Sequence, residues 1–420
     1  MKIYFLLLSM FACITIALGQ NDRAAYAKAI KQFREFYNNE QPDSLYKMYS
    51  QPVKAALSVA KTKELLAGLY AQTGKINHLK IQNETAESVI YRGAFEKTEM
   101  DIVFALNNKN QIADLNFNPV NANEESLSNF NIKTEQGATI YGTLLQPEKA
   151  KKGSNIVLLI SGSGQINRDG NFVQGGGTNA FKMLADSLRK AGISSVRYDK
   201  RGTGESFNAL KSESDLNFND LVSDVVAFVA KIKSSKKFDK IFIAGDNEAS
   251  LIAMVAANKT KVDGLISIAG TADAGDEVLR KQIKANVGPR ALEIDSVLEV
   301  LKSGNKVVIE NKYLMTTFRT SIQNYMISWF PYDPKKEISK LNIPILLLYG
   351  ARDLQVSEDD VQKLKDSKKG ATMIVLPEMN HVLKDVSADR DENVKSYNNL
   401  NMPLSAGLSQ EIIKFCKQKR

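Results

Sequence analysis

A five-residue segment near the middle of the chain has the pattern of a nucleophile site without the nucleophile. Residues 245–249 (Gly-Asp-Asn-Glu-Ala) follow an apolar, strand-like run and precede a helical pattern, so we expect a sharp strand-to-helix turn with Asn247 at its apex. Such turns have the pattern Gly-x-Ser-x-Gly. Asn tolerates the left-handed backbone of the apex, but a histidine cannot activate an amide nitrogen as it would a hydroxyl.

An acid and a base follow in the chain order that a catalytic triad needs. Asp353 stands just beyond the predicted strand 344–349, and His381 stands in the loop after the predicted strand 371–376. A single histidine is more often structural than catalytic, but the position of His381 relative to Asp353 favours the base role. His78, which has no carboxylate nearby in sequence, is interpreted as structural. We therefore predict that Asn247, Asp353 and His381 converge at the carboxyl edge of one sheet.

The loop 161–164 (Ser-Gly-Ser-Gly) directly follows the apolar strand 156–160 and could supply an oxyanion hole. We expect the hole to consist of the backbone N–H groups of Ser163 and Glu248. The alternative is a dinucleotide-binding fingerprint. Gly162 and Gly164 match it, but Asn167 occupies the third glycine position and a polar loop stands where a helix should begin, so no cofactor is predicted.

The surrounding pattern predicts the elements that would position these residues. From 129 to 420, apolar strands alternate with amphipathic helices, which is typical of a mainly parallel, doubly wound α/β sheet. A hairpin is expected over 129–134 and 138–145. The alternation stops between about 270 and 340, where a mostly helical stretch indicates an inserted lid.

A different pattern comes before it and predicts a small α+β domain over residues 20–120. The spacing of Tyr26, Ile30, Phe33 and Tyr37 indicates an amphipathic helix. Two shorter helical patterns follow, ending near Tyr70, and period-two strands are then expected over 88–95, 99–106 and 111–117. The Asn- and Glu-rich stretch 118–128 is the predicted linker.

Composition excludes several classes of function. There are 56 Lys and Arg against 47 Asp and Glu, a net charge of +9, but the acids are interspersed with the bases, which argues against a nucleic-acid interface. With two Cys and two His, no metal site or disulfide framework is expected. Residues 1–19 have the pattern of a signal peptide, so the protein is expected to be secreted or periplasmic without membrane insertion after cleavage. An uncleaved anchor and a lipoprotein site at Cys13 are the less favoured alternatives.

Several motifs together resemble a known family. They are Gly-Ser-Gly at 162–164, Arg-Asp-Gly-Asn at 168–171, Arg-Tyr-Asp-Lys-Arg-Gly-Thr-Gly-Glu-Ser at 197–206, Ser-Trp-Phe at 328–330, Tyr-Asp-Pro at 332–334 and Met-Asn-His-Val-Leu-Lys at 379–384. Residues 129–420 resemble the secreted bacterial α/β-hydrolases of the serine aminopeptidase and acyl-esterase type. The small domain resembles NTF2-like units of unknown function.

The resemblance implies an α/β-hydrolase fold, a carboxylic-ester hydrolase activity and a small acyl or ester ligand. The departure from the family lies at the turn, where members usually have Gly-His-Ser-Glu-Gly, so His has become Asp246 and Ser has become Asn247. Three hypotheses remain open: a pseudo-hydrolase that binds its ligand without turnover, a weak hydrolase in which His381 activates water, and a non-catalytic interaction protein that acts through its N-terminal domain.

Overall fold

The computed structural model describes residues 23–84, 88–119, 128–149, 153–172 and 177–418. The chain divides into two compact units, Met1–Ser126 and Leu127–Arg420, and the division lies within the predicted linker. The predicted signal peptide and most of that linker lie outside the described residues.

In the first unit, helices precede an antiparallel sheet of strand order β1-β2-β3-β4. The described elements are α1 (Arg23–Asn38), α2 (Pro42–Met48), α3 (Gln51–Ala56), α4 (Val59–Thr73), β1 (Ile76–Glu84), β2 (Val89–Phe95), β3 (Glu99–Leu106) and β4 (Ile112–Pro119). Sequence reasoning missed β1. Its polar and apolar residues alternate irregularly, and its pairing with β2 is interrupted by shifts in register, so the period-two signal is weak there.

The core of the first unit lies between α1 and the sheet. The predicted apolar stripe of α1 is buried, and Phe33 is fully inaccessible. Its ring meets that of Phe104 on β3, with 5.9 Å between the ring centroids. Burial alternates along β3, as expected for a sheet with one covered face.

The second unit is built on a seven-stranded sheet of order β13-β12-β11-β10-β8-β9-β7. Strands β8 to β13 pair in parallel, and β7 pairs antiparallel with β9. Its strands are β7 (Gly142–Leu145), β8 (Ser154–Ile160), β9 (Ser194–Tyr198), β10 (Phe238–Asp246), β11 (Gly264–Ile268), β12 (Ile345–Gly350) and β13 (Thr372–Leu376), after a short ladder of β5 (Ile132–Lys133) with β6 (Thr139–Ile140). Its helices are α5 (Ala180–Lys190), α6 (Phe218–Ser234), α7 (Glu248–Lys259), α8 (Gly275–Val287), α9 (Ile294–Lys302), α10 (Gln323–Trp329), α11 (Pro334–Ser339), α12 (Glu358–Ser367), α13 (Arg390–Ser396) and α14 (Ala406–Lys417).

The central strands are apolar on both faces because helices cover both. On β8, Ile156, Leu158 and Ile160 face one core, which includes residues of α6, α7, α11 and α12. The alternate residues Val157 and Leu159 face a second core, which includes residues of α5 and α14. Continuous apolar runs therefore become strands that contribute to two cores at once.

The hairpin predicted over 129–134 and 138–145 is only partly present. The ladder ends at β6, and β7 joins the edge of the large sheet beside β9 instead. Beyond β6 one backbone bond still joins the two arms, from the Phe130 N–H to the Gly142 carbonyl oxygen at 3.0 Å. The other N–H groups bond to side chains, since the amide oxygen of Asn129 accepts the Leu144 N–H at 2.7 Å and that of Asn131 accepts the Gly142 N–H at 3.0 Å, so the regular ladder is not continued.

The helical insertion between β11 and β12 has a small core of its own. Residues of α8, α9 and α10 form this core, with Leu301, Leu314 and Phe318 fully buried. The insertion is shorter than the predicted range 270–340, because Ile338 of α11 packs into the main core of the sheet. We refer to the segment from α8 through α10 as the lid.

Candidate active site

The turn between β10 and α7 has the sharp geometry that the sequence predicts. Asn247 lies between the two elements with φ 50° and ψ −117°. Gly245 must lack a side chain, because a Cβ there would lie 2.1 Å from the carbonyl oxygen of Ala249. This close approach folds the first turn of α7 back onto the strand and leaves Asn247 at the apex.

The loops after β12 and β13 bring the acid and the base together. Asp353 is 1% exposed, and its Oδ1 accepts the N–H groups of Gln355 at 2.7 Å and Val356 at 3.0 Å. Nδ1 of His381 donates to Asp353, with 2.9 Å to Oδ2. These bonds orient the imidazole so that its other nitrogen, Nε2, faces the apex of the turn.

At the apex the structure brings His381 to Asn247. The amide nitrogen Nδ2 lies 3.3 Å from Nε2, and with Nδ1 protonated toward Asp353, Nε2 accepts the amide hydrogen. The amide oxygen accepts the hydroxyl of Ser163 at 3.4 Å. Asn247, His381 and Asp353 therefore form a continuous hydrogen-bonded chain that ends in an amide.

Two carboxylates act on the imidazole. Burial lowers the pKa of His381, but the hydrogen bond and charge of Asp353, together with the charge of Asp246, outweigh burial and raise it. His381 therefore holds its proton more tightly than a free histidine, so a larger fraction of it is protonated near neutral pH and is not available to accept a proton.

Asp246 stands in contrast to Asp353 although both lie at the same sheet edge. Its Oδ1 is buried and has no hydrogen-bond partner among the described residues. Burial, reinforced by the charge of Asp353 and opposed by those of His381 and Lys200, raises the pKa of Asp246 to about 6. A Cβ on Gly162 would lie 2.9 Å from Oδ2 of Asp246, so the glycine allows the two loops to meet.

The loop predicted to form the oxyanion hole lies beside the apex. Ser163 is close enough for its hydroxyl to reach the Asn247 amide. Glu248 is the first residue of α7, so its N–H has no acceptor within the helix and remains available for a ligand. Both predicted donor residues thus lie next to Asn247.

Sequence reasoning missed a lysine beneath this loop. Nζ of Lys200 donates to the carbonyl oxygen of Gly162, and the side chain is buried. Burial lowers the pKa of Lys200, while the charges of Glu248 and Asp246 partly restore it. Lys200 lies in the 197–206 motif, which was the signal available in the sequence, but no pattern there indicated which loop it would bind.

A second missed contact joins the lid to the turn. The hydroxyl of Tyr325, on α10, donates to Oε1 of Glu248. Burial and the neighbouring Glu248 charge raise the pKa of Tyr325 well above its ordinary value, so it remains a neutral donor. The lid is thereby fixed to the residue that follows the apex.

Two other polar residues, Ser250 and His78, lie away from the apex. Ser250 is buried, and its hydroxyl bonds that of Ser267 at 2.6 Å, so it is not presented at the apex. His78 lies exposed on β1 of the first unit.

The motif that follows the oxyanion loop has a structural role. The guanidinium of Arg168 donates to Asp199 and Glu205, each at 2.6 Å, and its backbone N–H donates to Asp199 at 2.7 Å. This buried network joins the loop after β8 to the turn after β9.

Within the described residues, no group of three or more His, Cys, Asp or Glu side chains is arranged to hold a metal ion. In the same part of the chain, no helix combines the length and apolar character needed to cross a membrane.

Comparisons with known proteins agree with this organisation. The profile of the serine aminopeptidase S33 family matches residues 175–385, which include the Asn247 turn, Asp353 and His381. The profile of a family of unknown function, DUF3887, matches residues 31–115. Esterase EstD of Thermotoga maritima is 25% identical over 395 residues, covering 90% of this chain and 91% of that protein.

Solved structures of esterases are also similar. Est1E from Butyrivibrio proteoclasticus has 13% identity and a TM-score of 0.44, with 69% of this chain and 98% of that chain covered. The Pyrococcus furiosus esterase PF2001 has 16% identity and a TM-score of 0.46, with 68% and 89% covered. The family match and the observed strand order together confirm the predicted α/β-hydrolase fold.

Proposed function

This chain belongs to the serine aminopeptidase S33 family, and from that premise we propose that it is an esterase-type α/β-hydrolase that binds a small acyl or ester ligand without forming an acyl-enzyme. The observation that carries the proposal is the amide of Asn247 at the nucleophile position, 3.3 Å from Nε2 of an otherwise well-positioned His381.

The amide removes covalent catalysis for a chemical reason. A serine hydroxyl becomes a nucleophile when a base takes its proton, but the nitrogen lone pair of an amide is delocalised into the carbonyl. Loss of the nucleophile in a serine hydrolase costs roughly a million-fold in turnover, and about 10³- to 10⁴-fold over water survives from the oxyanion hole and binding. Ordinary acyl transfer is therefore excluded from the proposed function.

The remaining groups suit a carbonyl ligand. We expect the N–H groups of Ser163 and Glu248 to donate to an ester or carboxylate oxygen. In support, the Ser163 hydroxyl reaches the Asn247 amide, Glu248 is the first residue of α7, and Lys200 holds the first of the two loops. EstD is named as an esterase, which supports an ester rather than a peptide as the ligand class.

A second candidate function is slow hydrolysis by water that His381 activates. The observation in its favour is the intact pair of Asp353 and His381, joined at 2.9 Å, which a pure binding site does not need. Such water would have to displace the Asn247 amide from Nε2. The water would also depend on His381 as its base, and the raised pKa of His381 leaves less of the imidazole unprotonated near neutral pH.

The two functions differ in their kinetics with an activated ester such as 4-nitrophenyl acetate. Under the binding proposal, stopped-flow traces of the purified protein show no burst, calorimetry detects binding of short-chain esters or carboxylates, and His381→Ala leaves any residual steady-state rate unchanged. A steady-state rate that His381→Ala abolishes supports the second function. A burst equal to the enzyme concentration contradicts both, because it requires an acyl-enzyme.

Two further proposals concern the rest of the chain. Residues 1–19 support export to the periplasm or the exterior, which N-terminal sequencing of the processed protein tests. The α-helices and antiparallel sheet of the first unit support an NTF2-like identity for the region that the DUF3887 profile matches. A solved structure of this unit with a different strand order would overturn the proposed NTF2-like identity.

A further inference from the structure

We propose that Asn247 is a self-modification site: its side-chain amide is lost as ammonia within the folded protein, leaving aspartate or isoaspartate at the apex of the turn. This inference stands on the geometry around the amide and does not depend on whether the site binds an ester.

The backbone at Asn247 is aligned for an internal attack. The ψ angle is −117°, and Cβ is offset from the backbone nitrogen by about a third of a turn around the Cα–C bond. The nitrogen of Glu248 is therefore nearly eclipsed with Cβ of Asn247. Five-membered ring closure requires this arrangement.

Residues in regular secondary structure do not have this alignment. A helical ψ near −42° and a strand ψ near +135° each rotate the following nitrogen away from Cβ. Asn247 also has a positive φ of 50°, which is an uncommon and strained conformation for a residue other than glycine. The strand-to-helix turn imposes both angles, so the chain does not have to leave its folded state to reach the reactive geometry.

The side chains around the amide assist the same reaction. Ser163 donates to the amide oxygen at 3.4 Å, which polarises the carbonyl. Nε2 of His381 lies 3.3 Å from Nδ2, the nitrogen that must leave. In the ground state Nε2 accepts a hydrogen of Nδ2. Once attack makes Cγ tetrahedral, Nδ2 is an amine that can accept a proton, and the protonated imidazole, which Asp353 and Asp246 favour, has one on Nε2 to give.

The reaction balances with water as the only co-reactant. A bond forms between the Glu248 nitrogen and Cγ of Asn247, and the Glu248 N–H proton is released. The Cγ–Nδ2 bond breaks, and ammonia leaves with the proton from His381, which regains one from solvent. Water then opens the cyclic imide. Cleavage at Cγ gives aspartate, and cleavage at the backbone carbonyl carbon gives isoaspartate.

The chain contains an internal control for this chemistry. Asn258 lies in α7, and its amide nitrogen donates to the backbone and side chain of Glu337, each at 3.0 Å. Trypsin releases residues 241–259 as one peptide because Lys240 and Lys259 bound it. Both asparagines are therefore measured in the same fragment.

The test is to incubate the purified full chain at neutral pH and 37 °C in water enriched in oxygen-18 and to follow residues 241–259 by mass spectrometry. We expect conversion at Asn247 at least about tenfold faster than at Asn258 and than in a synthetic peptide of the same sequence, because the folded chain holds ψ of Asn247 at the angle that ring closure requires. Isoaspartate should accompany aspartate, with the heavy oxygen incorporated. Equal rates in the folded chain and the peptide would overturn the proposal.

The variant His381→Gln tests whether His381 assists the reaction at Asn247. This variant removes the proton donor, so conversion at Asn247 should slow by about tenfold or more, while conversion at Asn258 stays as it was. Unchanged Asn258 kinetics and an unchanged circular dichroism spectrum show that the variant is folded. A rate at Asn247 that is unaffected by His381→Gln excludes the assisting role. Formation of aspartate without isoaspartate excludes ring closure.

Discussion

The turn at 245–249 and the two loops that hold Asp353 and His381 lie at the same sheet edge but differ in what they retain. The acid and base are hydrogen-bonded in an arrangement suited to proton transfer, with 2.9 Å between Nδ1 and Oδ2. The turn has the matching backbone shape, but its apex residue has no nucleophilic atom. Positioning and reactivity are therefore separate properties of this fold, because Gly245 and the positive φ of Asn247 set the shape while only the side chain sets the chemistry.

Two buried carboxyl groups in these regions differ in their hydrogen bonding. Asp353 receives two backbone N–H groups and the imidazole. Asp246 has a buried oxygen without a partner among the described residues. Burial of an unpaired charge is costly, so the turn at 245–249 also has an electrostatic cost that the acid–base loops do not have.

The largest expected effect comes from restoring the nucleophile. Asn247→Ser should raise the hydrolysis of short acyl esters by about 10³-fold or more, because the hydroxyl would lie beside His381 in an otherwise complete site. The double change Asp246→His with Asn247→Ser should be faster still and should reach half its maximal rate at lower pH, since removing the Asp246 charge lowers the pKa of His381.

Asn247→Ala is the matched control, since it removes the amide without adding a hydroxyl and should stay at the native rate. If the double variant hydrolyses esters no faster than the native protein, the acid–base loops are not functional remnants, and the hypothesis that the protein acts through its N-terminal domain gains support.

The next effect is on stability and comes from the unpaired carboxyl. In the folded state the pKa of Asp246 is raised to about 6, above its pKa in the unfolded chain. The stabilisation that comes from protonating Asp246 is therefore complete at a pH below the unfolded pKa and is lost as pH rises through 6. Asp246→Asn should therefore raise the free energy of unfolding at pH 8 by up to about 3 kcal/mol, and the gain should vanish below pH 4.

Urea unfolding followed at several pH values measures this difference. Asp239→Asn is the control, because Asp239 lies exposed on the same strand, β10, and should change stability little. If Asp246→Asn raised the free energy of unfolding equally at pH 4 and pH 8, ionisation of the Asp246 carboxyl would not be what destabilises the folded protein.

The smallest expected effect concerns the lid contact. Tyr325→Phe removes the hydrogen bond to Glu248 but keeps the ring, which packs with a centroid distance of 6.0 Å from Trp329. It should lower the free energy of unfolding by about 1 kcal/mol. Tyr313→Phe, at an exposed lid tyrosine, serves as the control in the same thermal denaturation assay. Equal effects from both variants would mean that the lid is not fixed through Glu248.

The sequence predicted the sheet well because its strands are distinctive. A short apolar run such as 156–160 is typical of a strand covered on both faces in an α/β unit, and this run lies in β8 as expected. The convergence of Asn247, Asp353 and His381 was also predictable, since each follows a parallel strand at its carboxyl end.

Other features depend on contacts that no local pattern specifies. Lys200 reaches the carbonyl of Gly162, and Tyr325 reaches Glu248, across long separations in the chain. The weak alternation of β1 hid a strand whose register is interrupted. The edge position of β7 was hidden because it rests on pairing with the distant strand β9, and because Asn129 and Asn131 reach β7 through their side chains.

Covalent labelling with a fluorophosphonate probe tests most directly whether the site is complete except for its nucleophile. We expect that the native protein is not labelled, whereas Asn247→Ser and the double variant are labelled at position 247. Adding His381→Ala to either of these variants should abolish labelling. Labelling of the native protein would contradict the account, above all if mass spectrometry located the adduct on Ser163 or Ser250, because the site would then possess a reactive hydroxyl.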